Sequence, residues 1–312
     1  MVKEELKIKT ITCKNRIVMP PMATAKAVDG YINQAILDYY DARVEKLGMV
    51  IIEHGTIRKD GQATHPMISY GEDDKIEGLK RLVDVIHSHH VPVIAQMNHC
   101  GARAGILPLI SASNGMEKEN EYRAMTKAEI IEIEDCFVQA ARRAKEAGFD
   151  GVEIHSAHGY LLNQFYSPIY NQRKDEYGKD RILIHKEIIH KVRQQVGQEY
   201  PIFIRLGAID YCEGGSSLED AIKACIEFEK AGVDCIDISG GTTGFINPND
   251  SNPGYFKEAS IAIKKNVSVP VILTGGIHTI EQAEELLENN CADLIGVGRE
   301  ILKDAAWSKK NL

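Results

Sequence analysis

No stretch of the chain approaches the ~18 uninterrupted apolar residues that a membrane helix needs, so an integral helical membrane protein is excluded. The opening residues, Met1-Val2-Lys3-Glu4-Glu5, lead into no apolar signal-peptide core. Basic charge is in short supply too. Lys plus Arg is 37 against 45 Asp plus Glu, a formal net charge of −8. That balance gives no overall field attractive to phosphate backbones, which argues against nucleic acid as a partner. The seven cysteines, at 13, 100, 136, 212, 225, 235 and 291, contain no Cys-x-x-Cys. An odd, scattered set argues against a disulfide framework, a zinc ribbon and an iron–sulfur cluster, and it suits a reducing cytosol. Nor does a Gly-x-Gly-x-x-Gly fingerprint follow an early strand, which disfavours a doubly wound dinucleotide fold. These absences predict a cytoplasmic chain, without membrane or nucleic-acid partners, that acts on a small molecule.

What is present is enough apolar mass for a large core: 44% of 312 residues are hydrophobic and 26% charged. One phrase recurs, an amphipathic helix followed by a small residue and a short β-branched run. It reads Glu45-Lys46-Leu47-Gly48-Met49-Val50-Ile51-Ile52, and again at 146–154, 230–238 and 290–297. Glycine after the helix supplies a left-handed cap, and the apolar run fits a parallel strand buried on both faces. Adding Ile17–Pro20, Pro92–Gln96, Ile202–Arg205 and Val271–Thr274 gives eight strands. Thr126 with Glu129, Ser216 with Glu219, and Thr279 with Gln282 read as helix starts between them. Eight strands alternating with helices predict an α/β fold, a (β/α)8 TIM barrel, occupying residues 1–312 as one domain. Alternating Ile8 and Ile11 predict an N-terminal β-hairpin over Leu6–Cys13 that plugs the barrel floor. Long gaps at about 98–125 and 155–180 mark loops on the C-terminal face, where barrels bind substrates.

Barrel chemistry sits just past the strand C-termini, so the residues there are the candidates. They are Pro21, Met22 and Ala23, then His54 and Gly55, then Gln96 and His99. His155, His158 and Tyr160 follow strand four, and Arg205 closes strand five. Gly275-Gly276 and Gly298-Arg299 end the last two strands. In those two turns, backbone N–H groups and a fixed cation can converge on a phosphate, where barrels commonly hold one. Two imidazoles and a phenol within six residues supply hydrogen-bond donors and one potential acid. Gln96 can donate and accept at once, as an imide-like edge requires, and Arg205 can stabilise negative charge on a ring. For either side chain taken singly, bracing a loop is the alternative reading. Together with the phosphate turns they suggest a flat, polar-edged aromatic cofactor. Zinc held by the strand-end histidines is the competing reading, a barrel metallohydrolase. The positions after strands one and eight, however, hold Met-Pro-Pro-Met and Gly-Val-Gly-Arg instead of the usual ligands.

Four stretches carry a family resemblance. They are Lys14-Asn15-Arg16-Ile17-Val18-Met19-Pro20-Pro21-Met22, Gln96-Met97-Asn98-His99-Cys100-Gly101, the run from Gly148 through Phe165 to Gly178, and Ala292 to Glu300. In these the chain resembles the Old Yellow Enzyme family of FMN-dependent ene-reductases and NADH:flavin oxidoreductases, over nearly its whole length. The resemblance implies FMN as cofactor and NAD(P)H as reductant. It implies Pro21, Met22 and Ala23 against the isoalloxazine, with main chain around His54 and Gly55 nearby. Gln96 would meet the pyrimidine edge and Arg205 the N1 and C2-carbonyl side. Gly275, Gly276, Gly298 and Arg299 would hold the phosphate, and His155 and His158 the substrate oxygen. Tyr160 would deliver the proton.

Some positions depart from the family pattern. Ala23 replaces the usual Thr or Cys, and Ala25 stands where some members place a substrate-capping Tyr, which predicts a roomier pocket. Lys179-Asp180-Arg181 shortens a bracing run, so no role is carried onto it. The chain carries no Cys-rich cluster or dinucleotide domain, so electrons are expected directly from bound nicotinamide. A homo-oligomer is compatible with the sequence. A flavin-binding protein without catalysis, or an RNA-modifying flavin barrel, is the remaining alternative, and the acidic balance speaks against the second.

Overall fold

The computed structural model describes residues 1–312. Eight parallel strands form the barrel: β1 Ile17–Met19, β2 Met49–Ile51, β3 Val93–Asn98, β4 Gly151–Ser156, β5 Ile202–Ile209, β6 Cys235–Gly240, β7 Val271–Thr274 and β8 Leu294–Gly296. Each pairs with the next, and β8 pairs with β1 through Ile295 opposite Ile17, so the sheet is closed. Helices α1 Gln34–Asp41, α2 Ile76–His87, α3 Lys127–Glu146, α4 Leu183–Val196, α5 Leu218–Ala231, α6 Lys257–Lys264, α7 Ile280–Glu288 and α8 Arg299–Lys303 alternate with the strands. None of them is long and apolar enough to cross a membrane.

Side chains alternate along a strand, so every second residue enters the barrel. At the bottom this places Val18, Ile51, Ile94, Phe203, Cys235, Ile272 and Leu294 in one apolar cluster. The hairpin Leu6–Ile8 and Ile11–Cys13 closes that end, with Ile8, Ile11 and Cys13 in the same cluster. Two residues further along, the inward positions become Gln96, Glu153, Arg205 and Asp237. Another step brings Asn98, His155 and Ser239. The interior therefore changes from apolar floor to charged layer to polar mouth within three steps of the pleat.

Several expectations need correction. Gln96 and Arg205 do not end their strands, because β3 runs on to Asn98 and β5 to Ile209. The apolar run stops before the hydrogen-bonded ladder does. The cap of α5 is Ser217 with Asp220, while Ser216 is buried and donates its N–H to Asp210 Oδ2 at 2.8 Å. Glycine closes α3 and α5 as expected, at Gly148 (φ +94°) and Gly232 (φ +114°). Before β2, in contrast, Lys46 takes the left-handed turn (φ +67°), and α1 has already ended at Asp41. Capping boxes at Thr126–Glu129 and Thr279–Gln282 start α3 and α7. Of the two long gaps, the first carries a small sheet of Leu109–Ser111, Gly115–Glu117 and Asn120–Ala124. The second carries the short helices Leu161–Tyr166 and Glu176–Lys179.

Candidate active site

The strand ends open onto a cavity of about 430 Å³, within the ~300–1,000 Å³ usual for ligand clefts. Pro21, Met22 and Ala23 form one wall, and Gln96 and Arg205 the base. Gly275, Gly276, Gly298 and Arg299 line the side formed by β7 and β8. His54, His155, His158 and Tyr160 line the opposite part, together with His65. Of the sequence candidates only Gly55 and His99 fall outside the lining. A Cβ on Gly55 would lie 2.3 Å from the Tyr70 ring, so glycine there answers to packing. His99 is buried with Nε2 3.4 Å from Asp60, packed against Gly61 in the loop that follows β2. Ala25 is exposed at φ +55° and does not reach the cavity.

Four polar side chains are buried together at the base. Glu153 and Asp237 are 0% exposed, Gln96 1% and Arg205 4%. Gln96 Nε2 donates to Glu153 Oε1 at 2.7 Å, which fixes the amide and leaves its Oε1 without a partner in the chain. Arg205 Nε lies 3.2 Å from Asp237 Oδ2 without the alignment of a hydrogen bond, and neither η nitrogen is bonded within the chain. Burial raises both carboxyls. Glu153 lies well above its usual range, from burial and then the Asp237 charge, with Arg205 opposing. Asp237 is pushed up to about 6 by burial, against the pull of Arg205. Unmatched polar atoms in a dry layer are costly, so donors and an acceptor left open toward a cavity fit a ligand with a polar edge.

On the β7–β8 side, the backbone N–H groups of Gly275, Gly276 and Gly298 make no hydrogen bond within the chain. Gly276 has φ +65°, and a Cβ there would meet the Tyr255 ring at 2.9 Å. Only glycine turns here without displacing that ring. Arg299 is exposed, its Nη2 3.4 Å from Tyr255 Oη. Free N–H groups beside a guanidinium that has no carboxylate partner suit an anion.

The imidazole side is tightly assembled. His155 is 5.0 Å from His158, 5.4 Å from Tyr160 and 5.9 Å from His54, centroid to centroid. Its Nδ1 is buried with no partner. His158 sits at φ +61°, with Nε2 2.7 Å from Ser239 Oγ. Its carbonyl accepts from Arg103 Nη1 at 2.7 Å, and Arg103 is held in turn by Glu117 and the Thr242 carbonyl. A strained turn braced from three directions holds the ring in one place. Burial, and then neighbouring imidazoles or Arg205, keeps His155 and His158 far below the usual imidazole range, hence neutral. Burial raises the Tyr160 phenol to about 12, so it stays protonated. No three His, Cys, Asp or Glu side chains converge as metal ligands.

Sequence reasoning missed Glu153, Asp237, His65 and Arg103. The first two were visible as charges inside apolar strand runs, Val-Glu-Ile and Ile-Asp-Ile. His65 and Arg103 lie on loops whose course no periodicity dictates.

A closed (β/α)8 barrel with a phosphate-type turn, an imide-matching base and a wall of neutral donors defines the class: a barrel with a cleft for a flat, phosphorylated heterocycle. The chain matches the model of the NADH:flavin oxidoreductase / NADH oxidase family over residues 4–311, and it belongs to that family. It is 36% identical to an NADPH dehydrogenase of Halalkalibacterium halodurans, covering 97% of this chain and 91% of that protein. It is 35% identical to an NADH oxidase of Thermoanaerobacter brockii, covering 98% of this chain and 50% of that one. Among solved structures, an Old Yellow Enzyme homologue from Zymomonas mobilis superposes with a TM-score of 0.84 at 24% identity, over 99% of this chain and 91% of that one. A 2-naphthoyl-CoA reductase complex gives 0.92 at 24%, over 99% of this chain and 51% of that chain. These two likenesses establish the fold. The family is FMN-dependent, and the chain is an NAD(P)H-linked FMN oxidoreductase.

Proposed function

We propose that this protein is an ene-reductase, reducing an alkene conjugated to a carbonyl or nitro group, with residues 1–312 acting as one FMN-binding barrel in the cytoplasm. The observation that carries the reading is the group of His155, His158 and Tyr160, two neutral imidazoles and a protonated phenol on one cavity with Gln96 and Arg205.

In this reading Pro21, Met22 and Ala23 would form the platform for the isoalloxazine. Gln96 would offer its free Oε1 to an imide N–H, because the bond from Nε2 to Glu153 Oε1 sets which way the amide faces. Arg205, whose η nitrogens are unbonded within the chain, would stabilise the negative charge that develops on the ring. The N–H groups of Gly275, Gly276 and Gly298, with Arg299, hold the phosphate. Bound there and reduced by NAD(P)H, FMN would be the source of hydride. His155 and His158 donate hydrogen bonds to the substrate's carbonyl or nitro oxygen, which draws electron density from the alkene and makes the β-carbon electrophilic. Tyr160 gives its proton to the α-carbon, and a phenol held protonated by burial is suited to that step. Neutral imidazoles bind the oxygen without releasing protons elsewhere in the site.

Replacing Tyr160 by Phe removes the acid but keeps the ring. Alkene turnover should fall by roughly 10²-fold or more, the usual weight of a positioned acid, while reduction by NAD(P)H stays within a few-fold. Rapid-mixing measurements of the two half-reactions check this. Equal slowing of both contradicts the proton-donor role.

A further inference from the structure

His54 contributes a side chain that the oxygen-binding pair does not account for. It is 7% exposed, stacked on Tyr160 at 5.4 Å with 19° between planes, and it lies 5.6 Å from His65. Asn98 Nδ2 approaches His54 Nδ1 at 2.9 Å and also donates to Cys100 Sγ. An amide N–H can only donate, so Nδ1 accepts and the ring proton resides on Nε2. Nε2 makes no bond within the chain and is not sealed off, so it opens onto the cavity that His54 lines. Fixing this tautomer leaves Asn98 Oδ1 buried and unpaired, which has a cost. Packing alone does not require an imidazole here, since a leucine or phenylalanine would fill the same wall.

We propose that His54, oriented by Asn98, is a second oxygen-recognition point beside the His155–His158 pair. Its partners are conjugated carbonyl compounds that carry a further neutral oxygen, a carbonyl or hydroxyl group, near the reacting alkene. This rests on the ene-reductase reading of the same cavity. The wall favours a neutral oxygen because burial holds the His54 ring near pKa 3, with smaller contributions from His65 and Arg205. A carboxylate docked on it would lose its water, and the only cation acting on the ring, Arg205, already lies 3.2 Å from the buried Asp237 carboxyl. Arg205 is placed beside Asp237 at the base, and Arg299 beside Tyr255 across the cavity.

The test uses the flavin-loaded enzyme and ligands that do not react. Phenol, the three hydroxybenzaldehyde isomers and 4-hydroxybenzoate are titrated against the visible flavin spectrum, for the native enzyme and for His54→Leu and His54→Gln. At least one aldehyde isomer should bind more tightly than phenol. In His54→Leu the aldehyde-to-phenol affinity ratio should fall by about tenfold, the loss of one hydrogen bond. His54→Gln, which restores an N–H donor, should recover part of it. Comparing that ratio between native and variant enzymes cancels the ligands' different acidities and any general damage to the site. A ratio unchanged in His54→Leu overturns the proposal, as does a native preference for the benzoate. If no phenolic ligand perturbs the spectrum, the ene-reductase reading of the cavity fails first.

Discussion

Ala23 opens directly onto the cavity, between the Met22 wall and Thr24, whose Oγ donates to the buried Glu53 at 2.7 Å. A methyl group cannot donate a hydrogen bond to the O4–N5 edge, where the family resemblance places a Thr or Cys. Ala23→Thr or Ala23→Cys should therefore raise the two-electron midpoint potential by about 20 mV, equivalent to one hydrogen bond of about 1 kcal/mol. Potentiometric titration decides it, and an unmoved midpoint removes Ala23 from the account. Individual residues were legible where their type was unusual for their setting. His155, His158 and Tyr160 stood out because polar rings crowd one strand end. Gly55 misled, since its absent side chain makes room for Tyr70, and a close approach of that kind is a tertiary fact. The side chain of His54 was invisible as a donor because Asn98, which fixes its tautomer, is 44 positions away.

Among the elements, the hairpin shows how far periodicity reaches. Alternation over Leu6–Cys13 announced a two-faced ribbon, and the apolar floor supplies the surface that its Ile8 and Ile11 face needs. Ile11 is 3% exposed in a cluster shared with Phe203, Ile272 and Leu294. Ile11→Ala should cost about 2–4 kcal/mol, from lost burial and the cavity left behind. Denaturant unfolding measures it, and a loss below about 1 kcal/mol would mean that the hairpin is not part of the cooperative core. The helix starts were less even. Thr126 and Thr279 cap as their spacing implied, but at α5 two adjacent serines compete. Ser217 caps, because Ser216 is drawn inward to Asp210. Local spacing cannot rank them. The small sheet in the β3–α3 loop left no clear periodic trace, since its strands are three to five residues long and partly exposed.

For the whole molecule, the eightfold alternation was readable because a barrel buries each strand on both faces and so writes continuous apolar runs. The charged layer within those runs has consequences for stability. Six histidines, at 54, 65, 99, 155, 158 and 185, are held below the usual imidazole range, with burial the first cause in each. An imidazole depressed in the fold binds its proton more readily when unfolded. Its contribution is complete above about pH 6.5 and is lost as pH falls toward the folded value. The buried carboxyls Glu53, pushed up to about 7, and Asp237, to about 6, act oppositely. Their contribution is present at low pH and lost as pH rises through those values. His185 isolates one such group away from the cavity. It is fully buried near pKa 3, with Nε2 2.8 Å from Ser156 Oγ. His185→Phe should therefore lose about 2 kcal/mol less than the native protein between pH 7 and pH 5. Unfolding at the two pH values tests this, and parallel losses would contradict it.

The central claim is that one cavity takes hydride from a nicotinamide and passes it to an activated alkene. The most direct measurement is the visible spectrum of the purified protein, repeated after anaerobic NADH or NADPH and again after a simple cyclic enone. The account predicts two oxidised-flavin bands that bleach with the nicotinamide and return with the enone. Bands that bleach but never return with any enone or nitroalkene would contradict the ene-reductase assignment. A colourless protein that takes up no added FMN would contradict the cofactor site itself.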